Sequence, residues 1–435
     1  MNRLLLICLV LLSLPIGSLA QKSDKKIYTS DIDNFWVAYD SVLSTKDTVQ
    51  QTHFMQTLYI DKGTEGLKDF MEARDYSAEL WVKLINQSPK FWNSVRPNTL
   101  TVKSKSKDIE KSIQRLKKLY PELKEAKMFF TVGGLRSGGT VKDNKVLIGT
   151  EIATGTAETN LTDLPKSISK WLTGVFQDQR LDNIIPLNIH EFIHTQQNGD
   201  AHNLLGQAIG EGSCDFITEL VLGKPLQNNY IQYGRVHEPE LKEKFKIEMF
   251  SNATRNWLYN GSNTDDMADL GYFIGYAICK SYYENAPNKK QAIKEIIQLN
   301  YSDSTAVESF LSKSKYYREP IAKEELLKKF EEQRPTVARL EPFANGDSLV
   351  DSSVREVKIV FSTPMKTGYS INIGASGKEH FPITEATGYS EDKSTFTVRV
   401  DLKPETEYEF ILSDRSFSST QGFPLKPCVV RFKTK

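Results

Sequence analysis

Four cysteines in 435 residues are too few for a disulfide scaffold. Cys8 lies in the N-terminal leader, which leaves Cys214, Cys279 and Cys428, an odd and sparse set that suits core packing. An oxidising compartment would still allow one pair to bridge. Charge of one sign is also missing: 56 Lys and Arg stand against 55 Asp and Glu, a net charge of +1. That balance excludes a nucleic-acid binder, which carries clustered excess base. Past the leader no apolar run reaches the roughly 20 residues of a membrane span, and a mean hydropathy of −0.42 excludes a multi-span protein. With 25 Gly and 17 Pro, the chain is neither collagen-like nor low in complexity. What is present is 39% hydrophobic residues, 10% of the chain being aromatic. This is enough for real cores, and the length suggests two or three folding units at about 150 residues each.

Residues 1–20, MNRLLLICLVLLSLPIGSLA, read as a secretory signal peptide. Arg3 supplies the basic end, Leu4–Leu14 the apolar stretch, and Ser18 and Ala20 the small side chains before a mature start at Gln21. Cys8 lies too early, without small residues before it, to be a lipoprotein acceptor. The protein is expected to be exported, to the periplasm, the cell surface or the medium.

Ser30-Asp31 predicts the cap of a helix that carries Ile32, Phe35, Trp36 and Tyr39 on one face. Tyr59–Met71, Ala78–Leu84 and residues 108–120 continue in helical style. Lys127–Val132 and Lys145–Ile152 read as two strands of a hairpin around the turn GGLRSGG at 133–139. A phosphate loop is excluded because that turn does not lead into a helix with a Lys-Ser or Lys-Thr pair. Helical patterning returns from about 166 to 333. Pro335 then opens about 100 residues of short alternating runs, Val357–Phe361, Ile371–Ile373, Phe396–Val400, Tyr408–Leu412 and Val429–Phe432, as in a β-sandwich.

The chemistry is concentrated in Asp182–Gly223. In IIPLNIHEFIHTQQNG, Pro186 suits a first helical turn, and His190 and His194 fall four apart on one face, with Glu191 on its flank. This is H-E-x-x-H, in which two imidazoles hold Zn²⁺ and the glutamate takes a proton from a metal-bound water. Seventeen residues on, Glu211, Asp215 and Glu219 form a carboxylate stripe at i, i+4 and i+8. Glu211 would complete a His₂Glu site with an open fourth position, with Glu219 as the fallback. Asp215 is placed to accept a proton from a liganding imidazole. Gly210 and Gly212 leave room for close helix contact, and Cys214 reads as core.

HEFIH followed by an EG-containing helix resembles the gluzincin metallopeptidases. DIDNFWVAYD (31–40), YIDKGTEGL (59–67), HEFIHTQQ (190–197), EGSCDFITELVLGKP (211–225), NWLYNG (256–261) and DLGYFIGYAICKSYY (269–283) are similar to a family of secreted bacterial zinc-dependent proteases. The resemblance covers most of residues 28–330. It implies one Zn²⁺ per chain on His190, His194 and Glu211, Glu191 as general base, and Lys145–Ile152 as an edge strand for an extended substrate. It also implies an oxyanion donor downstream of the third ligand: Tyr272 or Tyr276, with His237 as the further candidate. The G-x-M-E-N strand of zinc aminopeptidases is absent, and Glu151 reads as a surface residue at a strand end. Residues 335–435 resemble the bacterial Ig-like domains of surface-layer proteins, through VKIVFSTPM (357–365), LKPETEYEFIL (402–412) and VVRFKTK (429–435).

The expected fold class is α+β. A mainly helical zincin-like catalytic domain with a small β-sheet occupies 21–334, made of helices at 28–125, edge strands at 127–152, active-site helices at 186–222 and further helices at 238–333. An all-β Ig-like sandwich follows at 335–435. The expected function is a secreted zinc metallopeptidase acting on a peptide or protein substrate, with neither nucleic acid nor a transmembrane span, and with cell-surface attachment through the Ig-like domain. The competing expectations are a catalytically inactive, zinc-stabilised surface binding or adhesion protein, and a zinc hydrolase acting on something other than protein.

Overall fold

In the computed structural model of the chain, residues 26–177, 179–261 and 267–435 are described. The expected signal peptide and Cys8 lie outside them. The architecture is mixed, with helices through the first three quarters and sheets at the C-terminal end.

A short strand β1 (Ile27–Tyr28) leads into α1 (Ser30–Leu43), α2 (Thr48–Met55), α3 (Glu65–Arg74), α4 (Ala78–Gln87) and the long α5 (Pro89–Leu119). The predicted stripe of α1 is buried, Ile32, Phe35, Trp36 and Tyr39 all facing the core. Its cap is not the predicted one: the buried Asp31 carboxylate instead accepts from the Thr64 amide and hydroxyl across the fold. The predicted helix over Tyr59–Met71 is interrupted. Thr64 caps α3 by accepting from the Leu67 amide, so a new helix starts there.

Next come β2 (Lys127–Thr131), β3 (Gly139–Lys142), β4 (Lys145–Gly149) and the single turn α6 (Thr150–Ala153). The sheet order is β1-β2-β4-β3. The strands predicted at 127–132 and 145–152 therefore pair, but in parallel, and the hairpin is β3–β4. Gly139–Lys142, unrecognised as a strand, forms the sheet edge, and β4 is interior rather than the expected edge strand. The glycine-rich turn has another use. Gly133 and Leu135 turn their amides onto the Glu151 carboxylate at 2.7 and 3.2 Å. Glu151 is fully buried, not a surface residue.

Helices α7 (Lys166–Phe176), α8 (Ile184–His194), α9 (Leu204–Leu222), α10 (Asn229–Glu248), α11 (Leu270–Asn285), α12 (Lys289–Ile297), α13 (Ser304–Ser314) and α14 (Lys323–Gln333) complete the first core. Helices α9 and α11 cross at Gly212 and Gly275. A Cβ on Gly275 would stand 1.7 Å from the Ala208 carbonyl oxygen, and one on Gly212 would stand 2.0 Å from the Tyr276 nitrogen. Gly212 thus brings α9 onto α11, not onto α8, while Gly210 faces the Tyr301 ring.

The C-terminal region has two sheets around a second core that includes Val357, Phe396, Phe410 and Val430. One sheet orders β5 (Val337–Glu341), β6 (Glu356–Phe361), β9 (Thr395–Val400) and β8 (Ile383–Tyr389) as β5-β6-β9-β8. The other orders β11 (Cys428–Lys433), β10 (Glu407–Leu412) and β7 (Ile371–Ile373) as β11-β10-β7. Strands β5 and β8 had no counterpart among the predicted runs. The residues of β8 are mostly half-exposed, and a kinked register weakens their alternation.

Candidate metal centre

Helix α8 buries Ile189, Phe192 and Ile193 in the core, which turns His190 and His194 toward α9. The His190 Nδ1 hydrogen donates to Asp215 Oδ1 at 2.9 Å, and the other oxygen of Asp215 accepts from the Tyr230 hydroxyl at 2.9 Å. The His194 Nδ1 hydrogen donates to Gln197 Oε1 at 2.8 Å. Gln197 is itself held through its amide nitrogen, which donates to the Gly210 carbonyl and the Ser213 hydroxyl at 2.8 and 2.9 Å. These partners orient each ring and turn both Nε2 atoms toward Glu211.

The two Nε2 atoms lie 3.2 Å apart, and Glu211 Oε2 lies 3.2 and 3.1 Å from them. The three atoms make a triangle with edges of 3.1–3.2 Å, in which Glu211 accepts from the rings when they are protonated and three lone pairs converge when they are not. Tetrahedral Zn²⁺ with bonds of about 2.0–2.1 Å sets its ligand atoms about 3.3–3.4 Å apart, so the triangle is of the right size. Cys214 also approaches. The atoms of His190, His194 and Cys214 lie within 4.8 Å of one another. Its sulfur, however, is 3.5 Å from His194 Nδ1, the nitrogen that faces away from the triangle. Glu211 therefore fits the third position better. All three mature cysteines are free thiols.

Electrostatics follow the geometry. Burial opposes charge on both rings, but Asp215 and Cys214 beside His190, and Cys214 and Glu211 beside His194, hold each ring well above the ordinary histidine range. Burial likewise opposes charge on Glu211, and the two histidines overcome it, holding that carboxyl well below the usual range. Burial pushes the Glu191 carboxyl up, with the same two rings acting against the shift.

The structure separates the remaining candidates. Glu191 packs against the glycine that opens β3; a Cβ on Gly139 would come within 2.7 Å of its carboxylate oxygen. The Tyr272 ring lies along His190, with centroids 6.1 Å apart. Tyr276 is engaged elsewhere: its hydroxyl donates to Glu219 at 2.7 Å and accepts from Arg235 at 3.2 Å. Glu219, the fallback ligand, is thereby removed from the triangle, and His237 stacks on Tyr233. Three contributors were not foreseen. Gln197 lies just beyond the motif, while Tyr230 and Tyr259 come from other segments. Tyr259, in left-handed backbone with φ 55°, donates its hydroxyl to Glu211 Oε1 at 2.6 Å.

The family model of the gliding motility protein GldB (GldB_lipo) matches residues 20–318. The chain belongs to this family. Membership overturns the expectation of a gluzincin-type metallopeptidase, because the matching family is one of gliding motility and not of peptidases. With it go the hydrolysis of a peptide substrate, Glu191 as general base, and Tyr272 or Tyr276 as oxyanion donor. No curated protein matches. Three solved structures of the surface-layer protein SbsC show distant likeness. Domains 1-6 share 13% identity, with 58% of this chain and 33% of that one covered and a TM-score of 0.17. The rSbsC(31-844) structure shares 12%, with 94% and 45% covered and a TM-score of 0.17. The N-terminal part shares 13%, with 93% and 68% covered and a TM-score of 0.18. The chain thus spans about a third of the first of these, and likenesses this weak carry no argument about its fold or function.

Proposed function

We propose that the chain is an exported component of the cell envelope that serves gliding motility by binding other proteins, and that His190, His194 and Glu211 hold one Zn²⁺ that fastens α8 to α9. The convergence of two imidazole Nε2 atoms and a carboxylate oxygen from two helices supports the metal. Family membership supports the process. On this reading the helix pair beside its small sheet is a zincin-like arrangement put to structural use. Residues 335–435 form an Ig-like spacer that sets the helical body, 21–334, away from its attachment. No helix among the described residues is long and apolar enough to cross a membrane. The family designation carries a lipoprotein label, which supports attachment at the cell envelope.

The test is replacement of the chromosomal copy in cells that glide by means of this protein. Glu191→Gln should retain gliding, because nothing is hydrolysed. Glu211→Ala should abolish it by loosening the helix pair. Loss of gliding in Glu191→Gln, with metal and fold intact, would overturn the non-catalytic reading.

A further inference from the structure

Tyr259 reaches Glu211 from a segment whose other end lies against the C-terminal sheets. Thr254–Asn256 form a single 3₁₀ turn. There the Arg255 guanidinium donates to the Arg415 carbonyl and to Ser416 Oγ at 3.4 Å. The Asn256 amide nitrogen donates to the Gly422 carbonyl at 3.0 Å and to Glu248 Oε2, at the end of α10, at 2.9 Å. Gly422 takes φ 95°, and a Cβ there would stand 2.5 Å from Asn256 Oδ1, so no slack remains at this contact. The next residue, Phe423, meets Phe330 of α14, which makes Asn256 part of the junction between the two cores. Only Trp257 and Leu258 separate it from Tyr259. Both of their amides donate to the Thr254 carbonyl, at 2.9 and 2.8 Å, and the Trp257 carbonyl accepts from the Gly271 amide at 2.7 Å. Tyr259 then turns into left-handed backbone, φ 55°, with its hydroxyl on Glu211 Oε1 at 2.6 Å. A bulky residue in that region is strained and persists only where its surroundings over-determine it. Tyr259 is 60% exposed, so its own packing does little to hold it. The hold comes from the pinned stretch before it and from Asn260 and Asp269 after it, whose side-chain oxygens each accept from the other's amide.

We infer that the seating of the two-sheet unit on Arg255 and Asn256 sets the strength of the metal centre, with Tyr259 as the positioning residue between them. The inference rests on the metal centre proposed above. Tyr259 holds one oxygen of Glu211 while the other faces the two imidazoles, so it acts on the metal only through that carboxylate. With the two-sheet unit seated, the segment is fixed at Asn256 and the strained turn at Tyr259 is kept. With it unseated, the turn relaxes, the hydroxyl leaves Glu211 and the third ligand loses the bond that orients it. A partner that displaces the two-sheet unit thereby loosens the fastening of α8 to α9.

The experiment is a double-mutant cycle on zinc affinity, read on the full mature chain by competition with a chelating dye, the fold of each variant being verified by circular dichroism. Tyr259→Phe should weaken zinc about 10–100-fold, as loss of a ligand's partner does. Gly422→Ala, which reaches the segment only from the sheet side, should weaken it about threefold or more, and Asn256→Ala provides the same break from the other side of the contact. Added to Tyr259→Phe, either change should shift the affinity by no more than about twofold, because the link is already cut. Wild-type affinity in any of the three folded single variants would overturn the inference. So would losses from Gly422→Ala or Asn256→Ala that persist in full beside Tyr259→Phe. Either result leaves the metal centre standing, whereas a folded wild-type chain that takes up no zinc would overturn both.

Discussion

At the scale of single residues, the strongest statement concerns what holds the ligands. Asp215 and Gln197 each fix one imidazole from behind, and loss of such a partner typically costs 10–100-fold in metal affinity. Asp215→Asn and Gln197→Ala should therefore retain the fold and bind zinc one to two orders of magnitude more weakly in competition with a chelating dye. Affinities equal to wild type would show that the triangle does not depend on these partners. The four side chains that meet there were legible in the sequence because helical spacing puts His190 and His194 on one face of α8, and Glu211 and Asp215 on one face of α9. Tyr230 and Tyr259 were not, since each arrives from a distant segment with no periodic mark. Tyr276 looked equivalent to Tyr272 on its helix face, and only the ion pair of Glu219 with Arg235 decides its different fate.

At the scale of elements, the helix packing and the small sheet carry the predictions. The α9–α11 crossing has no space for a side chain at Gly275, so Gly275→Ala should destabilise the helical body by about 1–3 kcal/mol through overpacking. Thermal unfolding measures this, and an unchanged midpoint would contradict the crossing. The turn at 133–135 and α6 enclose Glu151, whose carboxyl burial pushes up from 4.5 to about 7, the amides of Gly133 and Leu135 opposing the shift. Because the folded chain holds this proton longer than the unfolded one, stability falls as pH rises from about 4.5 to about 7 and levels off above. The loss is on the order of 3 kcal/mol. Glu151→Gln should flatten that part of the denaturation profile, and a profile that kept its slope would place the titration elsewhere. Sequence reasoning found β2 and β4 but paired them as a hairpin, because the four residues of β3 are too short and too polar to announce a strand. The C-terminal strands with strict alternation were legible, whereas β8, interrupted by its register shifts, was not.

At the scale of the whole molecule, two cores are joined through α14 and its continuation. The Arg334 guanidinium donates to the carbonyls of Pro424 and Leu425 at 3.1 and 2.8 Å, and Phe330 meets Phe423 with centroids 5.8 Å apart. The proposed metal site lies wholly in the helical body, so a chelator should lower the unfolding temperature of that body and leave the two-sheet unit unmoved. Arg334→Ala should expose the junction near residue 335 to limited proteolysis without changing metal content. Metal-independent melting of the helical body would deny the ion its fastening role.

The measurement that bears most directly on the central claim is the metal content of the purified mature chain, wild type beside Glu211→Ala, with the fold of both verified by circular dichroism. The account predicts one zinc per wild-type chain and its loss from the variant. A folded wild-type chain without zinc, or a Glu211→Ala chain that keeps it in full, would contradict the account.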